Sequence, residues 1–253
     1  MTKLKTIVEF LDCELRIDDF KDSSNNGLQV ENSGRIKKVC CGVDASMEFF
    51  EAAAAEGADL LVCHHGISWG GSLAHITDLN YSRIKFLVDR NMALYASHLP
   101  LDAHPRYGNN AGIAKALGLR KLKPFGKYNG SYIGFEGCLP KPMSYTAFKK
   151  KISSAMGGAA LQSMDFGKKK IQTVAVVSGG AAGEVAEAGQ KGIDVYISGE
   201  AGLVAYSLAQ EYGVNAVFAG HYATEVFGVR ALGDLLQKRF AVKSKFLDFK
   251  IPF

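Results

Sequence analysis

Apolar positions recur at Leu4, Ile7, Val8 and Leu11 with a helical period, which predicts a helix over 3–14. Asn25-Asn26-Gly27 marks a turn before Leu28-Gln29-Val30. Residues 36–43 form a short apolar run suited to a buried strand, and 47–56, rich in Ala and Glu, predict a helix. Gly57 closes that helix and 59–63 form the next strand. Strand, helix, strand makes a βαβ unit with a parallel pair. A loop over 66–76, a helix over 80–90, a strand over 92–96, a loop over 97–108 and a helix over 110–117 follow. The Gly- and Pro-rich stretch 124–142 is the best candidate for a boundary. It gives halves at 1–123 and 124–253, with the final helix free to pack back on the first half. Beyond a strand at 132–139 and a helix at 144–156, the alternation restarts. Strands at 172–178, 193–198, 214–219 and 243–249 are separated by helices at 181–190, 202–212 and 225–238. Alternating elements throughout predict an α/β fold.

The two halves resemble each other. Gly57-Ala58-Asp59 followed by Leu60-Leu61-Val62-Cys63-His64-His65 matches Gly192-Ile193-Asp194 followed by Val195-Tyr196-Ile197-Ser198-Gly199-Glu200. One strand later, the run ending at His98 matches the run ending at His221, and an acid stands four residues on in each, Asp102 and Glu225. A His-x-x-x-acid pattern thus occurs twice, each time at the carboxyl end of an expected strand, where open α/β sheets bind ligands. Imidazole and carboxylate suit Zn, Mn, Fe, Co or Ni, and a carboxylate can bridge two cations. Within a strand, His64 and His65 would point to opposite faces; just past its end, the turn into Gly66 can aim both at one cavity. His64, His65, Asp102, His221 and Glu225 are therefore the candidate ligands for two divalent ions. His98 reads as a ligand, a ligand-supporting residue or a proton shuttle. His104, beside Pro105, reads first as structural and second as a proton-transfer group. His75 reads as a hydrogen-bonded core histidine. Gly179-Gly180-Ala181-Ala182-Gly183 lacks the Lys-Ser/Thr of a phosphate loop and reads as a tight turn. Trp69 is either a lid or a loop anchor.

Composition narrows the partners. Lys and Arg number 30 against 25 Asp and Glu, a net charge of +5, so a broad polyanion-binding surface is not evident from composition. The dense runs Lys149-Lys150-Lys151 and Lys168-Lys169-Lys170 read as solvated turns. Cys40, Cys41 and Cys63 lie in apolar runs and read as buried, reduced thiols. The first 15 residues carry acids and lack the uninterrupted apolar stretch of a signal peptide, and no window of about 18 apolar residues suggests a membrane span. A cytoplasmic location is expected.

Six segments carry a resemblance. They are Asn25-Asn26-Gly27-Leu28-Gln29-Val30-Glu31, Val62-Cys63-His64-His65-Gly66, His98-Leu99-Pro100-Leu101-Asp102-Ala103-His104-Pro105, Gly108-Asn109-Asn110, Ile197-Ser198-Gly199-Glu200 and Ala219-Gly220-His221-Tyr222-Ala223-Thr224-Glu225. In this order, over nearly the whole chain, they resemble the Nif-three-like family in its compact bacterial form. The resemblance implies two similar interlocked α/β domains with mixed sheets and a metal site between them. It also implies a toroidal homohexamer and metal ligation by His64, His65, Asp102, His221 and Glu225. Ser198 stands where the family more often has threonine. Bacterial members carry the name GTP cyclohydrolase I type 2 homologue, which implies metal-dependent hydrolysis of a nucleotide or related small molecule. The alternative is a non-catalytic metal-handling or nucleic-acid-associated ring.

Overall fold

The computed structural model describes residues 2–252. In chain order the elements are β1 (Thr2–Lys3), α1 (Leu4–Leu15), β2 (Gly27–Val30), β3 (Arg35–Ile36), β4 (Lys38–Asp44), α2 (Met47–Ala55), β5 (Leu60–His65), α3 (Asp78–Asp89) and β6 (Ala93–Ala96). Next come α4 (Leu99–Ala103), α5 (Asn109–Ala116), β7 (Arg120–Tyr128), β8 (Ser131–Ser144), α6 (Tyr145–Ala155), β9 (Gln162–Asp165) and β10 (Lys170–Val176). The remainder is α7 (Val185–Gln190), β11 (Val195–Ser198), α8 (Leu203–Tyr212), β12 (Asn215–Phe218), α9 (His221–Phe240) and β13 (Lys243–Phe246). The chain divides into two compact units. One is Met1–Leu101 with Gly228–Phe249, the other Asp102–Phe227 with Lys250–Phe253.

The first unit holds a mixed sheet in the order β13-β4-β5-β6-β2, in which only β2 is antiparallel to its neighbour. Its core gathers Phe49 and Phe50 of α2 against Leu61 and Leu94 of the central strands. Those strands are buried on both faces, so their sequences are continuous apolar runs rather than alternating ones. The second unit holds a mixed sheet in the order β7-β8-β10-β11-β12-β9, with β10, β11 and β12 parallel. Its core places Phe148 and Ile152 of α6 with Val174, Ile197 and Val217 of the sheet. Each unit is α/β with a mixed sheet, as expected.

The sequence repeat is a structural one. In both units three parallel strands run in the same order and an antiparallel strand closes one edge. The matching aspartates do the same work. Asp59 Oδ2 accepts from the amides of Lys37 and Lys38 at 2.7 and 3.0 Å. Asp194 Oδ2 accepts from those of Gln172 and Thr173 at 2.8 and 3.0 Å. Each carboxylate therefore ties the turn before one strand to two backbone amides at or near the start of its parallel neighbour.

Several details differ from expectation. The units part at Leu101/Asp102 and Phe227/Gly228, inside α4 and α9, rather than at 123/124. The Gly- and Pro-rich stretch is a long hairpin, β7 with β8. Its prolines are tolerated because Pro124 lies on an edge strand, and Pro140 and Pro142 fall where the β8–β10 register shifts. The 97–108 loop contains the short helix α4, with Pro100 in its first turn. Lys149-Lys150-Lys151 lie on α6 rather than in a turn. His75 is exposed, not part of a core. Cys40, Cys41 and Cys63 are buried and free.

Burial works to raise the Asp194 carboxyl pKa, but Lys168 and the Thr173 and Gln172 amides outweigh it and hold the group below its ordinary 3.8. Its stabilising effect is thus present above about pH 4 and lost as pH falls further. Asp194→Ala should lower unfolding free energy by about 1–3 kcal/mol near neutrality. Urea denaturation of parent and variant should show this gap closing below pH 4, and a gap independent of pH would separate the loss from the carboxylate.

Candidate metal centre

His64 and His65 are the last two residues of β5, not residues beyond it. Their ring centroids nevertheless lie 4.7 Å apart. What fixes each ring is its Nδ1. His64 is fully buried, and its Nδ1–H donates to the Ser97 carbonyl at 2.9 Å. A carbonyl only accepts, so this contact assigns the proton to Nδ1 and turns the Nε2 lone pair outward from β6. His65 Nδ1 lies 2.8 Å from Asp44 Oδ1, a residue paired with it across the β4–β5 ladder. His98 Nδ1 lies 2.9 Å from Asp22 Oδ1. The ligand atoms of His64, His65 and His98 fall within 4.8 Å of one another. Three imidazoles, each oriented through Nδ1, form a donor group in the first unit.

Asp22 does more than hold one ring. Its side chain is 2 % exposed. It accepts from the amides of Ser24 and Leu99 and from the Asn26 side chain, while Asn26 Oδ1 accepts from the His98 amide. Burial pushes the Asp22 carboxyl up, but these donors and the neighbouring imidazole bring it down to about 2. Gln29 secures the next loop, its Oε1 accepting from the amides of Ile67 and Ser68. Trp69 is an anchor of that loop. Its indole N–H donates to Gly66 O at 2.8 Å, and its ring stands edge-on 5.1 Å from His98.

The second unit holds carboxylates and one imidazole of its own. Helix α9 opens at His221, so His221 and Glu225 share a face, with Nε2 3.0 Å from Oε1. Two donors bound to one ion at about 2.0–2.1 Å stand roughly 3.3 Å apart in a tetrahedral arrangement, so this spacing suits a shared cation. His221 Nδ1 is held by Glu200 Oε1 at 2.6 Å. The carboxylate oxygens of Asp102 and Glu225 lie within 4.8 Å of each other, and both residues are buried. Buried carboxylates at that distance repel unless a proton or a cation sits with them. Asp102 Oδ1 is positioned by Asn109 Nδ2 at 2.9 Å and Ser178 Oγ at 2.8 Å.

Gly179 shows how close this packing is. Its φ is +66°, and a Cβ placed on it would stand 2.4 Å from Glu225 Oε1 and 3.2 Å from His221 Nε2. Its amide donates to Thr224 Oγ1, and its carbonyl accepts from the amides of Gly199 and Glu200. The glycine loop after β10 is therefore a close backbone approach to the donor pair. His104 stands in the turn that follows α4. Its Nδ1 accepts from the amides of Arg106 and Tyr107, and its ring stacks on Tyr107. Asp22, Asp44 and Ser178 are not among the residues that the sequence predicts for the site. Asp44 and Ser178 follow the last apolar residues of equivalent strands, and that position was the available signal.

The fold and donor groups define an α/β protein of two repeated units with imidazole and carboxylate groups suited to metal. The Duf34/NIF3 (NGG1p interacting factor 3) profile matches residues 2–251, and the chain belongs to that family. A relative from Deinococcus radiodurans called GTP cyclohydrolase 1 type 2 homolog is 43% identical over 96% of this chain and 92% of its own. The solved structure titled protein ybgI, unknown function, superposes with a TM-score of 0.92 at 31% identity, covering 100% of both chains. Protein TTHA1606 from Thermus thermophilus gives 0.88 at 34% identity, also covering 100% of both.

Burial opposes charge on His221, but the Glu225 and Glu200 carboxylates outweigh it and raise the imidazole from 6.5 to about 9. In metal-free protein this favours folding fully below pH 6.5, and the effect is lost as pH rises through about 9. The stability difference between parent and His221→Ala, measured by thermal unfolding with chelator present, should therefore be largest near pH 6, on the order of 3 kcal/mol at most, and fade by about pH 10. A difference unchanged across that range would show that the pair does not titrate this way.

Proposed function

We propose that His64, His65, Asp102, His221 and Glu225 together bind two divalent transition-metal ions and that the protein is a metal-dependent hydrolase of a nucleotide or related small molecule. The observation that carries this reading is the orientation of the three imidazoles. His64, His65 and His221 each have Nδ1 engaged by a carbonyl or carboxylate, the arrangement that steers Nε2 toward a metal. The donor set fits the group. Nitrogen and carboxylate oxygen suit Zn, Fe, Mn, Co or Ni, and two buried carboxylates offset the charge of a cation pair. Bound there, the ions would supply Lewis-acid polarisation of the scissile bond and a lower pKa for the attacking water.

The chain's own residues have distinct parts. Asn109 and Ser178 hold Asp102 in one rotamer. Asp22 fixes the His98 tautomer with the proton on Nδ1, so His98 Nε2 is the atom that accepts and returns a proton. His104 is a second proton-transfer candidate, its Nδ1 already accepting from two backbone amides, which leaves Nε2 as the N–H of the neutral ring. Trp69 walls the imidazole group and limits water there. The name of the Deinococcus radiodurans relative supports a GTP-like substrate class. A homohexamer belongs to the same reading, and light scattering should then give six times the 27.2 kDa chain mass.

Elemental analysis of protein purified without chelator should find about two transition-metal ions per chain and a clear loss in Glu225→Ala. A parent that stays metal-free after reconstitution would overturn the proposal. Asp22→Asn should leave metal content unchanged and lower kcat on a responsive substrate by about 10²-fold or more, because His98 then lacks the acceptor that fixes its tautomer. An unchanged kcat would exclude His98 as the base.

A further inference from the structure

From Ala103 to Met164 the chain carries ten Lys and Arg and one acid, Glu136. The remainder of the chain holds more acid than base. Glu136 is already paired, its Oε2 lying 2.8 Å from Lys191 Nζ. The fold draws part of this charge into one recess. Arg106 after α4, Lys115 on the last turn of α5, Arg120 at the start of β7 and Lys151 on α6 line a cleft of about 590 Å³. Among the described residues no acidic side chain lines it.

The cations there are unlike others in the same unit. Lys149 pairs with Asp165, Lys168 with Asp194 and Lys191 with Glu136. Among the described residues no carboxylate pairs with Lys115, Arg120 or Lys151. Lys151 is half-buried, and its ammonium leans over Gly118, where a Cβ would meet Nζ at 3.4 Å. Gathering like charges in a recess raises the local field and repels the compact state, and an anion relieves that cost. Leu119 and Leu122 add an apolar wall. The volume falls in the range of about 300–1,000 Å³ typical of small-molecule sites, and a recess of that size suits a compact ligand better than an extended strand.

We propose that this cleft binds the phosphate chain of a small phosphorylated ligand. Arg120 and Lys151 make the main phosphate contacts, and Leu119 and Leu122 pack against the ligand's apolar part. The proposal is independent of the metal reading. The two features share α5, because Asn109 at its start holds Asp102 and Lys115 stands about 9 Å further along the axis.

The test is calorimetric titration of the full chain with inorganic tripolyphosphate at low salt, in four proteins: the parent, Arg120→Ala/Lys151→Ala, Arg120→Lys/Lys151→Arg and Glu225→Ala. The parent and the charge-conserving double variant should bind with similar affinity, and the double alanine variant at least about tenfold more weakly. Glu225→Ala should retain binding, which separates this cleft from the metal donors. If the double alanine variant is unfolded by circular dichroism, Arg120→Gln and Lys151→Gln singly should each weaken binding by about threefold or more. No binding by the parent, equal binding by the alanine variants, or loss confined to Glu225→Ala would overturn the proposal. Tighter binding of single-stranded DNA of about 20 nucleotides, with a salt slope of many phosphates, would overturn it in favour of a nucleic-acid surface.

Discussion

A neutral imidazole offers a defined nitrogen to a metal or a proton when the proton on its other nitrogen has a fixed acceptor. That constraint organises the strand ends of this protein. Ser97 O, Asp44, Asp22 and Glu200 are the four acceptors, for His64, His65, His98 and His221 in turn. Two of them come from elements that must already be in register: Asp44 opposite His65 on the β4–β5 ladder, and Ser97 directly after β6. The sheet thus does chemistry at a distance, because a slip in strand register would leave the rings without a defined tautomer.

The repeat explains why so much of this could be read in one sequence. Parallel strands buried on both faces are written as plain apolar runs, and Asp59 and Asp194 recur because each accepts from the same kind of amide pair at or near the start of the neighbouring strand. The candidate ligands His64, His65, Asp102, His221 and Glu225 stood out because the repeat set them at matching strand ends. Their anchors did not. Asp22 is 76 residues from His98, and nothing local to either residue signals the pairing.

Elements whose structure is set by neighbours were also hard to read. β9, Gln-Ser-Met-Asp, has no apolar period and is a strand because it pairs with β12. The prolines of 124–142 suggest a boundary, yet an edge position and a register shift accommodate them in a hairpin. The sequence predicts a helix over 225–238, whereas Gly220 at φ +95° lets α9 open at His221. That difference of one turn puts His221 and Glu225 on a common face.

The segmentation of the chain has a consequence for biogenesis. β13 closes one edge of the first sheet, in parallel register with β4 from Lys243–Lys38 to Phe246–Cys41, although nearly two hundred residues separate the two strands. The first unit therefore cannot be completed until the continuous run 102–227 has been synthesised. During translation the edge of β4 stays open, an unpaired row of amides and carbonyls able to recruit another strand. Asp59, which fastens the start of β4 from within the same segment, gives that nascent sheet an early clasp while it waits for its last strand.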